Sequence, residues 1–299
     1  MKKNLSLFQF MRMRIGELRM GQKYRTAETY TTAMNSFRRF LGGKDIHFRR
    51  LTQECICKYE SWLLSEGIRR NTTSFYMRIL RAVYNQAVDR GYAKKADIFK
   101  HVYTGVDKTG KRAIDLETIR IIKRLDLSSD SRLAFARDMF LFSLYTRGMS
   151  FVDMAFLRRS DLRGGELSYA RSKTGQRLKI RWEDCMQEIV DWYPANTNGF
   201  LLPIISKPGT NFRSQYRNTL FKVNSGLRTI SEMIGLGTPI TTYVARHTWA
   251  SVAYSQNVPI SVISEGLGHD SERTTRIYLS TVGTDRVDRA NNLIISLLH

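Results

Sequence analysis

The sequence predicts a mainly α-helical chain with one small β-hairpin, an α+β protein built from two domains. Three observations carry that prediction. Apolar residues recur at helical spacing through most of the chain. A single stretch, "GGELSYARSKTGQRLKIRW", alternates apolar and polar residues around Thr174-Gly175 and reads as a hairpin. Between residues 94 and 114 the helical period is lost and Gly and Lys accumulate, which marks a linker.

The elements follow in order. A first helix is expected over residues 6–20. "TAETYTTAMNSFRRFLGG" predicts a second, capped by Thr26, with Tyr30, Met34, Phe37 and Leu41 on one face and Gly42-Gly43 as its stop. "LTQECICKYESWLLSEGI" predicts a third, from the cap Thr52 to the stop Gly67. "NTTSFYMRILRAVYNQAVDRGY" predicts a fourth, with Tyr76, Ile79, Leu80, Val83 and Ala87 inward and Gly91 at its end. These make a helical N-terminal domain over residues 1–104, and residues 105–299 make the second. There "LETIRIIKRL", "SRLAFARDMFLFSLYTRGM" and "SFVDMAFLRRSDL" precede the hairpin. "EDCMQEIVDWY", "FRSQYRNTLFKVNSGLRTISEMIG", "TPITTYVARHTWASVAYSQ" and "VPISVISEGLG", with Pro259 early in its helix, follow it.

Charge narrows the function. The chain carries 48 Lys and Arg against 27 Asp and Glu, a net of +21, and such a field favours a polyanion, whose counterions are released on binding. Residues 1–104 hold 21 basic and 8 acidic side chains, and residues 105–299 hold 27 and 19, so both domains are cationic. Two cationic domains joined by a basic linker suggest a clamp around one long anion. The pairs Arg69-Arg70 and Arg158-Arg159 suit either a solvated face or phosphate contacts. No basic amphipathic helix suggests a membrane surface, no apolar run approaches the roughly 20 residues of a membrane span, and no signal peptide is evident. Cys55, Cys57 and Cys185 have no ligand partners nearby and read as reduced thiols. The expectation is a cytoplasmic protein that needs neither metal nor other cofactor.

The familiar nucleotide and hydrolase motifs are absent: there is no P-loop, no G-x-S-x-G elbow, no H-E-x-x-H and no acidic cluster of the two-metal kind. Chemistry on a phosphodiester would then rest on guanidinium forks, which donate paired hydrogen bonds and stay charged, and on a side-chain nucleophile. Three C-terminal segments supply these groups: "TTYVARHTW", "LGH" and "TTRIY", with His269 nine residues ahead of Tyr278. Alone, each residue is ordinary, since a helical tyrosine is usually core and a histidine after L-G usually caps a helix. Their order and spacing are not ordinary.

In that order they resemble the catalytic region of the tyrosine recombinases, the phage integrase family, in which H-x-x-R is followed by L-G-H and then a nucleophilic tyrosine. The resemblance covers nearly the whole chain and implies a helical, SAM-like core-binding domain ahead of a recombinase catalytic domain. It implies that Tyr278 attacks phosphorus, forms a 3′-phosphotyrosyl link and frees a 5′-hydroxyl. Arg246 would grip the scissile phosphate, His269 would hydrogen-bond a non-bridging oxygen and help the proton movement, and Lys173, in "RSKTGQ", would protonate the leaving 5′-oxygen. His247 and Trp249, beside Arg246, read as structural.

Two positions depart from the family pattern. Tyr243 stands where the H-x-x-R box begins with histidine. Ser150 stands where G-[LM]-R-x-x-[ED] has its arginine, although Asp153 fits the acidic position. Arg147 is the nearest replacement; another arginine arriving from elsewhere, or a site that works without one, are the other solutions. The tail "TDRVDRANNLIISLLH" carries Val287, Ala290, Leu293, Ile294 and Leu297 on one stripe. It packs in cis or, as the resemblance favours, exchanges between protomers of a homo-tetramer on double-stranded DNA. The recombination site, the direction of the reaction and the part played by accessory DNA-bending proteins stay open. A type IB topoisomerase and a DNA-binding accessory protein with a decayed site are the rival readings.

Overall fold

A computed structural model describes residues 5–107, 113–194 and 197–279, the side chains of Ile277 and Tyr278 excepted. The described residues fall into two compact units, divided between residues 109 and 110.

The first unit contains α1 (Leu7–Met20), α2 (Tyr24–Phe40), α3 (Gln53–Ser65) and α4 (Arg70–Asp89). Ser6 and Gln9 form a reciprocal capping box at the start of α1, and Thr52 accepts the Cys55 N–H at the start of α3. Helix α2 begins at Tyr24, two residues ahead of the expected Thr26 cap. Gln22, at a φ of 56°, already completes the turn out of α1, so the chain re-enters a helix before Thr26 is reached. The apolar stripes meet in an aromatic core. The Phe37 ring stands edge-on to Tyr59 at 4.7 Å, and the buried Tyr59 hydroxyl donates to Ser36 Oγ at 2.8 Å. Part of the expected linker belongs to this unit: Ile98, Phe99 and Val102 are buried in its core. Asn71 exchanges two hydrogen bonds with the backbone of Asp107. Turn-by-turn burial without a helical period is what the sequence pattern missed.

The second unit opens with α5 (Leu116–Arg124), capped by Asp115, and α6 (Ser131–Tyr145), capped by Asp130. Helix α6 buries residues on several faces, as a helix at the centre of a core must. Then come the short α7 (Phe151–Phe156), β1 (Leu162–Arg163), β2 (Glu166–Ala170) and β3 (Arg177–Arg181). The hairpin is thus the larger part of a three-stranded antiparallel sheet of order β1-β2-β3, in which Leu167 faces Ile180 and Tyr169 faces Leu178. Those four residues are buried and the intervening ones are not, as period-two alternation requires. Helices α8 (Asp184–Asp191), α9 (Phe212–Met233), α10 (Thr242–Ser255), α11 (Ile260–Leu267) and α12 (Glu272–Leu279) complete the unit. Pro259 sits at the N-cap of α11 rather than within it. Among the described residues no helix is long and apolar enough to cross a membrane. The tail from residue 280, with its expected helical stripe, lies outside the described residues.

Candidate active site

Three chain reversals bring Arg246, His269 and the turn that carries Lys173 together. The first follows α6. Arg147 and Gly148 adopt φ values of 59° and 70° in succession, and the Ser143 carbonyl accepts the N–H groups of Gly148 and Met149 at 2.7 and 3.2 Å. A left-handed conformation is strained for an arginine and free for a glycine. Glycine is also required for space: a Cβ at 148 would stand 2.6 Å from the Arg246 Cα. Helix α10 therefore passes directly against this turn.

That contact pins Arg246. Arg246 is 5% exposed, and its guanidinium donates to the Gly148 carbonyl at 3.0 Å, the Leu267 carbonyl at 2.5 Å and His269 Nε2 at 3.0 Å. A guanidinium has five N–H donors and no acceptor, so this arrangement fixes its plane. Tyr243, one turn earlier on α10, is exposed, with its ring edge-on to His247 at 4.7 Å. It lines a cleft of about 170 Å³ with Ser150, Phe151 and Arg246. Trp249 is half-buried and packs under α11.

The second reversal ends α11. Gly268 is left-handed, at a φ of 63°, and a Cβ there would meet the Arg171 side chain at 2.7 Å. Past this cap, His269 turns its Nε2 to Arg246 and its Nδ1 to Thr275 Oγ1 at 2.8 Å. Burial, then the charges of Arg246, Arg171 and Lys173, push His269 down from 6.5 to about 4, so the imidazole is neutral at pH 7. Thr275 belongs to α12 and is fully buried. Tyr278 lies on the same helix, one turn further on.

The third reversal is the turn between β2 and β3, where Arg171 N–H donates to the Gln176 carbonyl. Asp153 ties this turn to α7: it accepts the Ser172 N–H at 2.8 Å and the Ser150 hydroxyl at 2.6 Å. Ser150 thus caps α7 and supplies no cation. Lys173, beside Ser172, is exposed at the tip.

One residue escaped the sequence reading. Arg171 is 7% exposed and hydrogen-bonds the Gly268 carbonyl next to His269, while its Nε is buried without a hydrogen-bond partner among the described residues. The charges of Arg246, Arg171 and Arg147 all reach the buried phenol of Tyr169 on β2. Burial and Asp153 hold that phenol well above the ordinary tyrosine range. The only local signal was a basic residue at the inward end of an alternating strand, which the strand's own pattern makes look like a surface position. Arginines converging on one neutral imidazole, with a single buried carboxylate committed elsewhere, form a site for an oxyanion such as a phosphodiester.

Comparison with known proteins bears on the same chemistry. Residues 6–102 match the phage integrase SAM-like domain. The chain is 20% identical over 273 residues to tyrosine recombinase XerD of Pseudomonas aeruginosa, covering 87% of this chain and 88% of that protein. It is 25% identical over 280 residues to a tyrosine recombinase of Pseudothermotoga lettingae, covering 90% and 92%. Its fold superposes on a lambda integrase tetramer bound to a Holliday junction with a TM-score of 0.66, at 16% identity, covering 93% of this chain and 78% of that one. Over nearly its whole length the chain is similar to tyrosine recombinases, and its first hundred residues match the SAM-like domain of phage integrases.

Proposed function

We propose that this protein is a site-specific recombinase that cuts and rejoins double-stranded DNA through a 3′-phosphotyrosine on Tyr278. The observation that carries the reading is the buried Arg246 guanidinium, hydrogen-bonded to a neutral His269 that is itself bonded to the helix bearing Tyr278. In the first step the Tyr278 oxygen attacks phosphorus and gives up its proton. The bond to the 5′-oxygen breaks, and Lys173 protonates that oxygen. Rejoining reverses each transfer, with a 5′-hydroxyl from the partner duplex as nucleophile. Because the ester conserves the energy of the broken bond, no high-energy cofactor enters. Tyr243, exposed at the cleft, offers its hydroxyl to the phosphate.

Ser150 leaves a cationic place to fill, and Arg171 and Arg147 are the two arginines able to fill it. Arg171 has the stronger support, because it is buried beside His269 and its Nε has no hydrogen-bond partner among the described residues. The net charge of +21 supplies the long-range attraction to DNA. A lambda integrase of the same fold assembles as a tetramer on a Holliday junction. We infer the same working unit here, with residues 280–299 exchanged between protomers and the reaction taking place in the cytoplasm.

The test is covalent capture. Full-length protein and a Tyr278→Phe variant are incubated with sheared genomic DNA of the source organism, and adducts that survive denaturation are sequenced at their ends. Adducts at a few discrete paired sites, absent with Tyr278→Phe, are expected. Scattered ends would replace the recombinase by a relaxing topoisomerase, and the lack of any adduct would leave a DNA-binding protein.

A further inference from the structure

We propose that Thr275 is a positioning residue for strand cleavage: by accepting the Nδ1 proton of His269, it holds the imidazole with its Nε2 lone pair turned to the phosphate-binding arginine, as a proton acceptor. The inference rests on the recombinase reading above and adds to it a residue and a direction of proton transfer.

The tautomer follows from donor and acceptor counting. Arg246 can only donate, so the His269 Nε2 facing it at 3.0 Å must accept. A neutral imidazole carries one N–H, and with Nε2 bare that proton is on Nδ1. Nδ1 faces Thr275 Oγ1 at 2.8 Å, and that oxygen is its acceptor. Thr275 is fully buried, so water cannot easily replace the hydroxyl. The charged groups around the ring are Arg246 from α10 and Arg171 and Lys173 from the β2–β3 turn, all cations that favour the neutral form until an anion arrives.

The consequence concerns the first chemical step. The resemblance assigned this histidine a hydrogen bond to a non-bridging oxygen, for which Nε2 would have to carry a proton, and a share in the proton movement with no direction given. In the tautomer that Thr275 enforces, Nε2 instead receives one. When a phosphate monoanion takes over the Arg246 donor, the exposed lone pair accepts the phenolic proton of Tyr278 as the oxygen attacks phosphorus. The resulting imidazolium keeps its Nδ1–H on Thr275 and is balanced by the adjacent phosphate. Lys173 loses a proton to the 5′-oxygen as His269 gains one, and rejoining returns both. This also accounts for the tolerance of Tyr243 in place of a histidine, since the imidazole needed for proton transfer enters from the L-G-H segment. Thr275 lies one turn before Tyr278 on α12, so the same hydrogen bond ties the helix of the nucleophile to the phosphate centre.

Two substitutions separate this role from packing. Thr275→Val keeps the shape and removes the oxygen; Thr275→Ser keeps the oxygen and removes the methyl group. Adduct formation on sheared genomic DNA is timed for both at saturating DNA, alongside DNA affinity and the ¹⁵N spectrum of the labelled histidine rings. Thr275→Val is expected to slow adduct formation by about 10- to 100-fold, at the low end of a general acid–base contribution, with DNA affinity within about twofold. Thr275→Ser should stay near wild type. The wild-type spectrum should show His269 protonated on Nδ1, and Thr275→Val should lose that signature. Normal cleavage by Thr275→Val with slow cleavage by Thr275→Ser would reduce the residue to packing, and a wild-type His269 protonated on Nε2 would overturn the proposal outright. A wild type that forms no adduct would remove the recombinase reading and this inference with it; failure in the variants alone concerns only the inference.

Discussion

Residues 5–107 and 113–279 are both largely helical, yet they bury different things. The first unit encloses Phe8, Phe10, Phe37 and Tyr59 with uncharged polar partners such as Ser36 and Thr73. The second encloses Asp138, Asp153, Arg171 and Arg246, and these are all the buried charged side chains among the described residues. Asp138 is a structural case, accepting hydrogen bonds from Arg137 and Tyr193. The other three meet at the candidate site. A surface cation attracts a phosphate backbone at little cost to folding, and the proposed DNA contact of the first unit would need no more than that. Stabilising a transition state at phosphorus needs donors already desolvated and aimed, and burial of charge costs folding energy unless hydrogen bonds offset it. The second unit bears that cost at the candidate site.

The comparison breaks first at Arg246. Arg246→Lys keeps the charge and loses the fork that holds Gly148, Leu267 and His269 together; covalent capture should show adduct formation lowered by about 10²- to 10³-fold. Next comes Arg171→Met, which removes a buried cation whose Nε has no hydrogen-bond partner among the described residues. Adduct formation should fall by about 10²-fold, while the melting temperature moves by no more than about 3 °C. Arg147→Met, assayed beside it, decides between the two arginines: the larger loss marks the one that grips the phosphate. Third is Asp153→Ala, which orphans the Ser172 N–H and the Ser150 hydroxyl. Two hydrogen bonds to a carboxylate are worth about 3 kcal/mol or more together, and calorimetry should show a fall of about 6–12 °C.

A smaller effect sharpens the contrast through pH. His269 titrates near 4 in the folded protein against an ordinary 6.5, so between those values the unfolded chain binds the extra proton. Stability should therefore fall as pH drops from about 6.5 to about 4 and gain nothing further from this group above 6.5. Urea unfolding across that range should give a shallower pH slope for His269→Asn than for wild type. Equal slopes would mean the ring is not held neutral. The least effect is expected in the first unit: Tyr59→Phe removes one core hydroxyl, costs about 1 kcal/mol in urea unfolding and leaves adduct formation unchanged.

Much of this was legible before any coordinates. The capped, periodic segments became helices because their propensity, capping and apolar spacing agreed, and the alternating stretch became a hairpin for the same reason. Arg246, His269 and Tyr278 were proposed from an ordered motif, because Arg246 and Tyr278 lie on helices and His269 follows the Gly268 cap of one, positions that the local sequence sets. Thr26 misled because an isolated threonine before an apolar run resembles a cap whether or not the preceding turn leaves room for one. The apolar residues of 98–102 were hidden because they pack without a period.

Arg171 and Thr275 were not legible, and the reason is physical. Arg171 owes its burial to Gly268, ninety-seven residues away in the chain, and Thr275 matters through the ring nitrogen it faces. The sequence by itself determined the helices, the hairpin, the excess charge and the residue types that phosphoryl transfer requires, because those depend on neighbours along the chain. Only the tertiary structure decided which cations are dry, which groups face the two nitrogens of the imidazole, and that Ser150 caps α7 beside Asp153. Desolvation and hydrogen-bond direction are properties of groups brought together from distant positions, and no local pattern encodes them.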